Sequence, residues 1–159
     1  MRIAIGSDHR GFEVRNRLAK FVESLGHEVE LFGGDDKTPV DYPDVAETVA
    51  RKVVAGEFDR GILLCGTGLG MSIAANKVPG VRAAACHDQL TAEMSRRHND
   101  ANVLCMSAEL LGERLMNEVV RIWLTTDFEG GRHARRVEKI AAIERAVQEE
   151  NCSKSSKST

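Results

Sequence analysis

Residues 61–70 read Gly61-Ile62-Leu63-Leu64-Cys65-Gly66-Thr67-Gly68-Leu69-Gly70. The first five form a short apolar run without alternation, as expected of a strand covered on both faces. Three glycines then break the run, and residues 72–77 carry a short helical pattern that Pro79-Gly80 stops. A buried strand that turns at once into a helix is the unit of a parallel sheet, because a parallel neighbour is reached only by a crossover.

Outward from this unit the same alternation holds. Towards the N-terminus, residues 2–7 (RIAIGS) and 27–32 (HEVELF) predict strands. Between them Phe12, Val14, Leu18, Phe21, Val22 and Leu25 recur at mostly helical spacing, and Gly26 closes that helix. A helix over 44–56 starts behind Pro43 and ends at Gly56. Towards the C-terminus, strands are expected over 81–86 and 103–106. A helix over 88–98, which Asp88 can cap, lies between them, and helices over 110–124 and 133–148 finish the chain. The order βαβαβαβαβαα predicts an α/β fold with a parallel sheet and helices on both faces. Ligands in such a fold bind just past the carboxyl ends of the strands. A chain of 159 residues holds about one domain, placed here over residues 1–150. Residues 151–159 (NCSKSSKST) are rich in Ser and Lys and read as a disordered tail.

Composition narrows the function classes. Lys+Arg 22 against Asp+Glu 24 gives a net charge of −2, which is not the balance of a nucleic-acid binder. Hydrophobic residues at 42% and charged residues at 29% fit an ordinary soluble domain. No apolar run approaches the ~18 residues of a membrane span. The opening MRIAIGSDH reaches Asp8 and His9 too soon for a secretory signal, so a cytoplasmic protein with no membrane partner is expected. Cys65, Cys86, Cys105 and Cys152 form no C-x-x-C pair and fit neither a zinc site nor a disulfide framework. Cys86 and Cys105 lie in apolar runs and read as buried small hydrophobes. Asp8-His9 and His87-Asp88 are adjacent pairs, which rarely chelate one ion, so no metal is expected.

Chemistry is expected after the strands. Glycines at 66, 68 and 70 free backbone N–H groups to face an anion, and the helix that follows adds partial positive charge. Cys65 enters this loop from the strand, where such donors favour a thiolate able to act as nucleophile or general base; the plain alternative is a buried structural thiol. A base beside an anion hole is what proton abstraction next to a carbonyl requires. His98 can move protons near neutrality, or serve only at a helix end, and the polar turn Asn99-Asp100-Ala101-Asn102 follows it. Asp8-His9 and Asp41-Tyr42-Pro43 read equally as ligands or as caps and turns. Arg132 and Arg136 are four residues apart on one helical face, which suits a phosphate as well as a solvated surface.

Taken together, these segments resemble the type B ribose-5-phosphate isomerases, a family that includes galactose-6-phosphate and allose-6-phosphate isomerases. The matching segments are IGSDH (5–9), DYP (41–43), CGTGLGMSIAANK (65–77), PGVR (79–82), SRRHNDANV (95–103) and EGGRHARR (129–136). The resemblance spans about residues 2–148. It implies a three-layer, Rossmann-like fold with a five-stranded parallel sheet, no metal and no cofactor. A homodimer or a dimer of dimers with shared active sites is implied, acting on a phosphorylated sugar through an enediolate. On the same ground, Cys65 resembles the base that moves the proton between C1 and C2, and Thr67 a proton shuttle between the oxygens. His98 resembles the residue that opens the sugar ring. The backbone at Gly66, Gly68 and Gly70 resembles the anion hole. Asp8, Asp41, Tyr42 and Asn99 would hold hydroxyls, and His9, Arg132 and Arg136 the phosphate, with some groups coming from the second subunit. Some members use a Glu further along the loop; Cys65 places this chain on the cysteine branch. One departure stands out: Glu109 occupies a position where many members carry a phosphate-binding Arg. Either Glu109 points away, or Arg114 substitutes, or the substrate differs from ribose 5-phosphate. The resemblance implies an aldose–ketose isomerase that interconverts ribose 5-phosphate and ribulose 5-phosphate; rival readings are the same chemistry on a hexose or tetrose phosphate, a catalytically silent sugar-phosphate-binding subunit, and a flavodoxin-like module suggested by fold alone.

Overall fold

The first strand, β1 (Arg2–Ser7), sends Ile3 and Ile5 to one face of a sheet and Ala4 to the other. In a computed structural model describing residues 1–36 and 38–155, the chain continues as α1 (Phe12–Ser24), β2 (Glu28–Phe32), α2 (Tyr42–Val54) and β3 (Arg60–Cys65). There follow α3 (Leu69–Ala75), β4 (Ala83–Ala85), α4 (Gln89–Asn99), β5 (Val103–Ser107), α5 (Glu113–Thr125) and α6 (Arg132–Ser155). The five strands pair in parallel in the order β2-β1-β3-β5-β4. The fold is thus the three-layer, Rossmann-like α/β architecture expected.

The central strand explains the absence of alternation in GILLC. Ile62 and Leu64 enter a core with Leu18 and Val22 of α1 and Val119 and Trp123 of α5. Leu63 and Cys65 enter the opposite core, with Val45, Val49 and Val53 of α2 and Met71 and Ala75 of α3. Both cores are mostly aliphatic, with Trp123 the one buried aromatic of the first and Phe58 that of the second. Each fully buried Ile or Leu contributes roughly 1.5–3 kcal/mol.

Three elements depart from expectation. The strand expected over 81–86 pairs only over Ala83–Ala85, at the sheet edge with β5 as its single neighbour. The third helix starts at Leu69, earlier than expected, because Gly68 supplies a left-handed N-cap with φ of 79°. The last helix runs on to Ser155, so residues 151–155, expected to belong to a disordered tail, continue α6; residues 156–159 lie outside the described residues. No described helix is long and apolar enough to cross a membrane.

Candidate active site

Strand order reverses at β1, which has β2 on one side and β3 on the other. The carboxyl ends of β1 and β3 therefore open a crevice. Asp8, Arg10, Tyr42, Cys65, Gly66, Thr67 and Gly70 line a cavity there of about 220 Å³. Cys65 ends β3 and is 6% exposed. Its Sγ accepts a hydrogen bond from the Gly68 N–H at 3.1 Å. A Cβ on Gly68 would lie 2.8 Å from the Met106 carbonyl carbon, so only glycine brings this N–H onto the sulfur. From the neighbouring strand, the Ser107 hydroxyl donates to the Gly66 carbonyl at 2.5 Å and pins the loop. The other core cysteines differ. Burial pushes the Cys86 thiol up and the Cys105 thiol well up, and neither sits at a strand's carboxyl end facing this cavity.

The surrounding groups are fixed by the turns. Asp8 Oδ1 accepts from the N–H groups of Arg10 (3.0 Å) and Gly11 (3.1 Å), which folds the β1–α1 turn. His9 Nδ1 faces the Val40 N–H at 3.4 Å. Asp41 is the N-cap of α2 but makes no side-chain cap bond, and its neighbour Tyr42 lays its ring over Gly70. The Thr67 hydroxyl accepts from the Leu69 N–H at 3.4 Å, and the Thr67 carbonyl meets His87 Nε2 at 2.9 Å.

Glu109 is accounted for by a residue that the sequence did not single out. Arg10 Nε lies 2.7 Å from Glu109 Oε1, beside Gly66. The pair neutralises the carboxylate at the cavity wall. Arg114 lines a separate surface pocket with Gln89 and Glu118, so it does not substitute within this chain's cavity. Arg10 is flanked by the quoted SDH motif, and only its pairing in three dimensions gives it meaning.

The remaining expected residues are elsewhere. Helices of this fold run back across the sheet, so His98 and Asn99, at the end of α4, lie at the amino ends of the strands, opposite the carboxyl end that carries Cys65. Cys65 is level with Ser107 at the end of β5, whereas Asn99 precedes the start of that strand, roughly 16 Å away along it. His98 stacks on His133 of α6, and Arg132 Nε donates to His133 Nε2 at 3.3 Å; Arg136 follows one turn later. Asn99 lines a second cavity of about 230 Å³ with Asn76, Arg82 and Ile140. The polar turn after His98 is mostly structural. Asp100 takes a left-handed conformation (φ 47°), its carboxylate gripped by Arg82 (2.8 Å) and Arg96 (2.9 Å). Asn102 accepts from the Arg82 N–H and donates to the Gly80 carbonyl. Cys65, Thr67, Asp8 and Tyr42 are thus brought together; His98, Asn99, Arg132 and Arg136 form a second group.

A family model described as Ribose/Galactose Isomerase matches residues 3–140. The chain belongs to that family. It is therefore a sugar-phosphate isomerase by kinship, and the flavodoxin-like alternative falls away. Ribose-5-phosphate isomerase B of Escherichia coli is 46% identical over 143 residues, covering 90% of this chain and 96% of that protein. D-erythrulose-4-phosphate isomerase of Pectobacterium atrosepticum is 42% identical over 146 residues, covering 91% and 95%. Among solved structures, ribose-5-phosphate isomerase B of Clostridium thermocellum superposes with a TM-score of 0.91 at 51% identity, covering 92% of this chain and 99% of that one.

Proposed function

We propose that this isomerase interconverts ribose 5-phosphate and ribulose 5-phosphate. The observation that carries the reading is the Cys65 sulfur held by the Gly68 N–H in the switch-point cavity. The thiolate takes the C2 proton of the open aldose, giving an enediolate, and returns it to C1 to make the ketose. Thr67 moves the hydroxyl proton between O2 and O1, and the loop N–H groups hold the developing negative charge. One such donor is typically worth about 3 kcal/mol of barrier. Asp8, Asp41 and Tyr42 hold hydroxyls.

His98 opens the furanose ring, Asn99 binds the sugar, and Arg132 and Arg136, with His9, bind the phosphate. Since His98 and Cys65 of one chain lie at opposite ends of the strands, the working site is shared in a homodimer. A two-fold arrangement sets each chain's second group against its partner's cysteine cavity and makes two equal sites. Exposed apolar residues support this: Leu69 and Ile73 flank the cysteine loop, and Ile140, Ile143 and Val147 line α6.

The second reading is the same chemistry on a tetrose phosphate, favoured by the Arg10–Glu109 pair where many members carry an Arg and by the erythrulose-4-phosphate relative. A panel of ribose 5-phosphate, erythrose 4-phosphate, allose 6-phosphate and galactose 6-phosphate, with wild type and Cys65→Ala, tests both. Ribose 5-phosphate leading, with Cys65→Ala inactive, supports the first. A tenfold lead in kcat/KM for another sugar replaces it, and turnover of none points to a silent subunit.

A further inference from the structure

Glu129 and His133 have no part in the scheme above, yet they hold the imidazole on which it depends. The rings of His98 and His133 are parallel to within 2°, with centroids 4.1 Å apart. Glu129 Oε2 lies 3.9 Å from His98 Nε2 and 3.5 Å from His133 Nε2. The carboxylate is fixed from its other side, where Oε1 accepts from Arg97 Nε at 2.6 Å and the Glu129 N–H donates to the Arg97 carbonyl. His133 is buried at 6% side-chain exposure and His98 is at 36%, so one ring is scaffold and the other is reachable.

The charged groups around His98 are Arg97 from its own helix, Glu129 from the preceding loop, and His133, Arg132 and Arg136 from α6. The Arg97 guanidinium holds Glu129 below the usual carboxylate range. Burial, with His98 and Arg132 beside it, pushes His133 below the usual imidazole range. At neutral pH, Glu129 is therefore an anion and His133 a neutral ring whose Nε2 accepts from Arg132. Two imidazoles and a carboxylate with ligand atoms within 4.8 Å also make up a metal-type donor set. Here Arg97 and Arg132 already engage Glu129 Oε1 and His133 Nε2, and guanidiniums repel a divalent ion. The cluster instead braces the His98 ring, with His133 stacked on its face and the Glu129 carboxylate at its edge.

We propose that Glu129 and His133 are positioning residues for ring opening: His133 fixes the plane of the His98 imidazole by stacking, and the Glu129 carboxylate at the His98 Nε2 edge sets the ring's orientation within that plane. The proposal rests on the isomerase reading. In the step, the C1–O4 bond of the cyclic sugar breaks and its electron pair stays on O4, which takes the proton from His98. The anomeric hydroxyl loses its proton to solvent as the C1 aldehyde forms, and a solvent proton restores His98.

Glu129→Gln keeps the size and an acceptor for Arg97 but removes the charge. Its kcat/KM for ribose 5-phosphate is expected to fall at least about tenfold, within the usual reach of general acid catalysis. Erythrose 4-phosphate cannot close a furanose ring, and its kcat/KM is expected to stay within about twofold. His133→Phe, which keeps a stacked ring, should retain more ribose 5-phosphate turnover than His133→Ala. Equal losses on both sugars, or a His133→Phe variant no more active than His133→Ala, overturn the proposal. Should the wild type turn over neither sugar, it is the isomerase reading that fails, and the proposal falls with it.

Discussion

Cys65 sits where three separate constraints meet: the last position of β3, a loop whose Gly68 cannot carry a side chain, and a neighbouring strand whose Ser107 clamps the loop. Cys65→Ala is expected to lower kcat by at least about a hundredfold, while the dissociation constant for the product, read by calorimetry, changes little. Gly68→Ala meets both a φ of 79° and the Met106 backbone. It should lower stability by about 1–3 kcal/mol in denaturant melts and lose activity beyond that, since the N–H on the sulfur moves. At the cavity wall, Glu129's counterpart in effect is Glu109, which takes up the charge of Arg10. Glu109→Gln frees that guanidinium, so KM for a phosphorylated sugar should drop and become more sensitive to salt. An unchanged KM would place Arg10 outside phosphate binding.

At the scale of elements, helix ends carry more information than helix bodies. The turn from α4 to β5 holds Asp100 in a left-handed conformation between Arg82 and the buried Arg96. Asp100→Ala leaves Arg96 without its carboxylate and should lower stability by about 1–3 kcal/mol in chemical denaturation. The same turn sets the position of His98, so activity should fall with it. These details were only partly legible in the sequence. HNDAN reads as a polar turn, but which of its residues are structural depends on Arg82 and Arg96, and Arg82 comes from 18 residues away. The extension of α6 to Ser155 was hidden too, because Ser and Lys repeats carry little helix signal while backbone continuity favours adding residues to an existing helix.

For the whole molecule, the division of expected residues between the two ends of the strands is the main constraint. If the site is completed by a second copy, Ile143→Asp on the exposed face of α6 should shift the protein to a monomer in light scattering. Isomerase activity should then drop sharply while circular dichroism stays unchanged. Retained activity in a monomer would remove the shared-site reading. Acid should also act through the second group. His133 binds its proton less readily folded than unfolded, so the unfolded state takes up more protons as pH falls below about 6.5. Stability is expected to decline on acidification through that range, and His133→Asn should flatten the decline in thermal melts.

The sequence by itself determined the layered α/β architecture and the family, because buried strands, glycine turns and cap residues act locally and leave marks a few residues long. It also placed Cys65 and its loop, since a strand end running into a helix start is a local event. Only the tertiary structure decided that Glu109 is matched by Arg10, that His98 leans on His133 and Glu129, and that His98 and Cys65 of one chain stand at opposite ends of the strands. Those relations join residues 30 to nearly 100 positions apart. Charge pairing and ring stacking depend on distance in space, which no local pattern records.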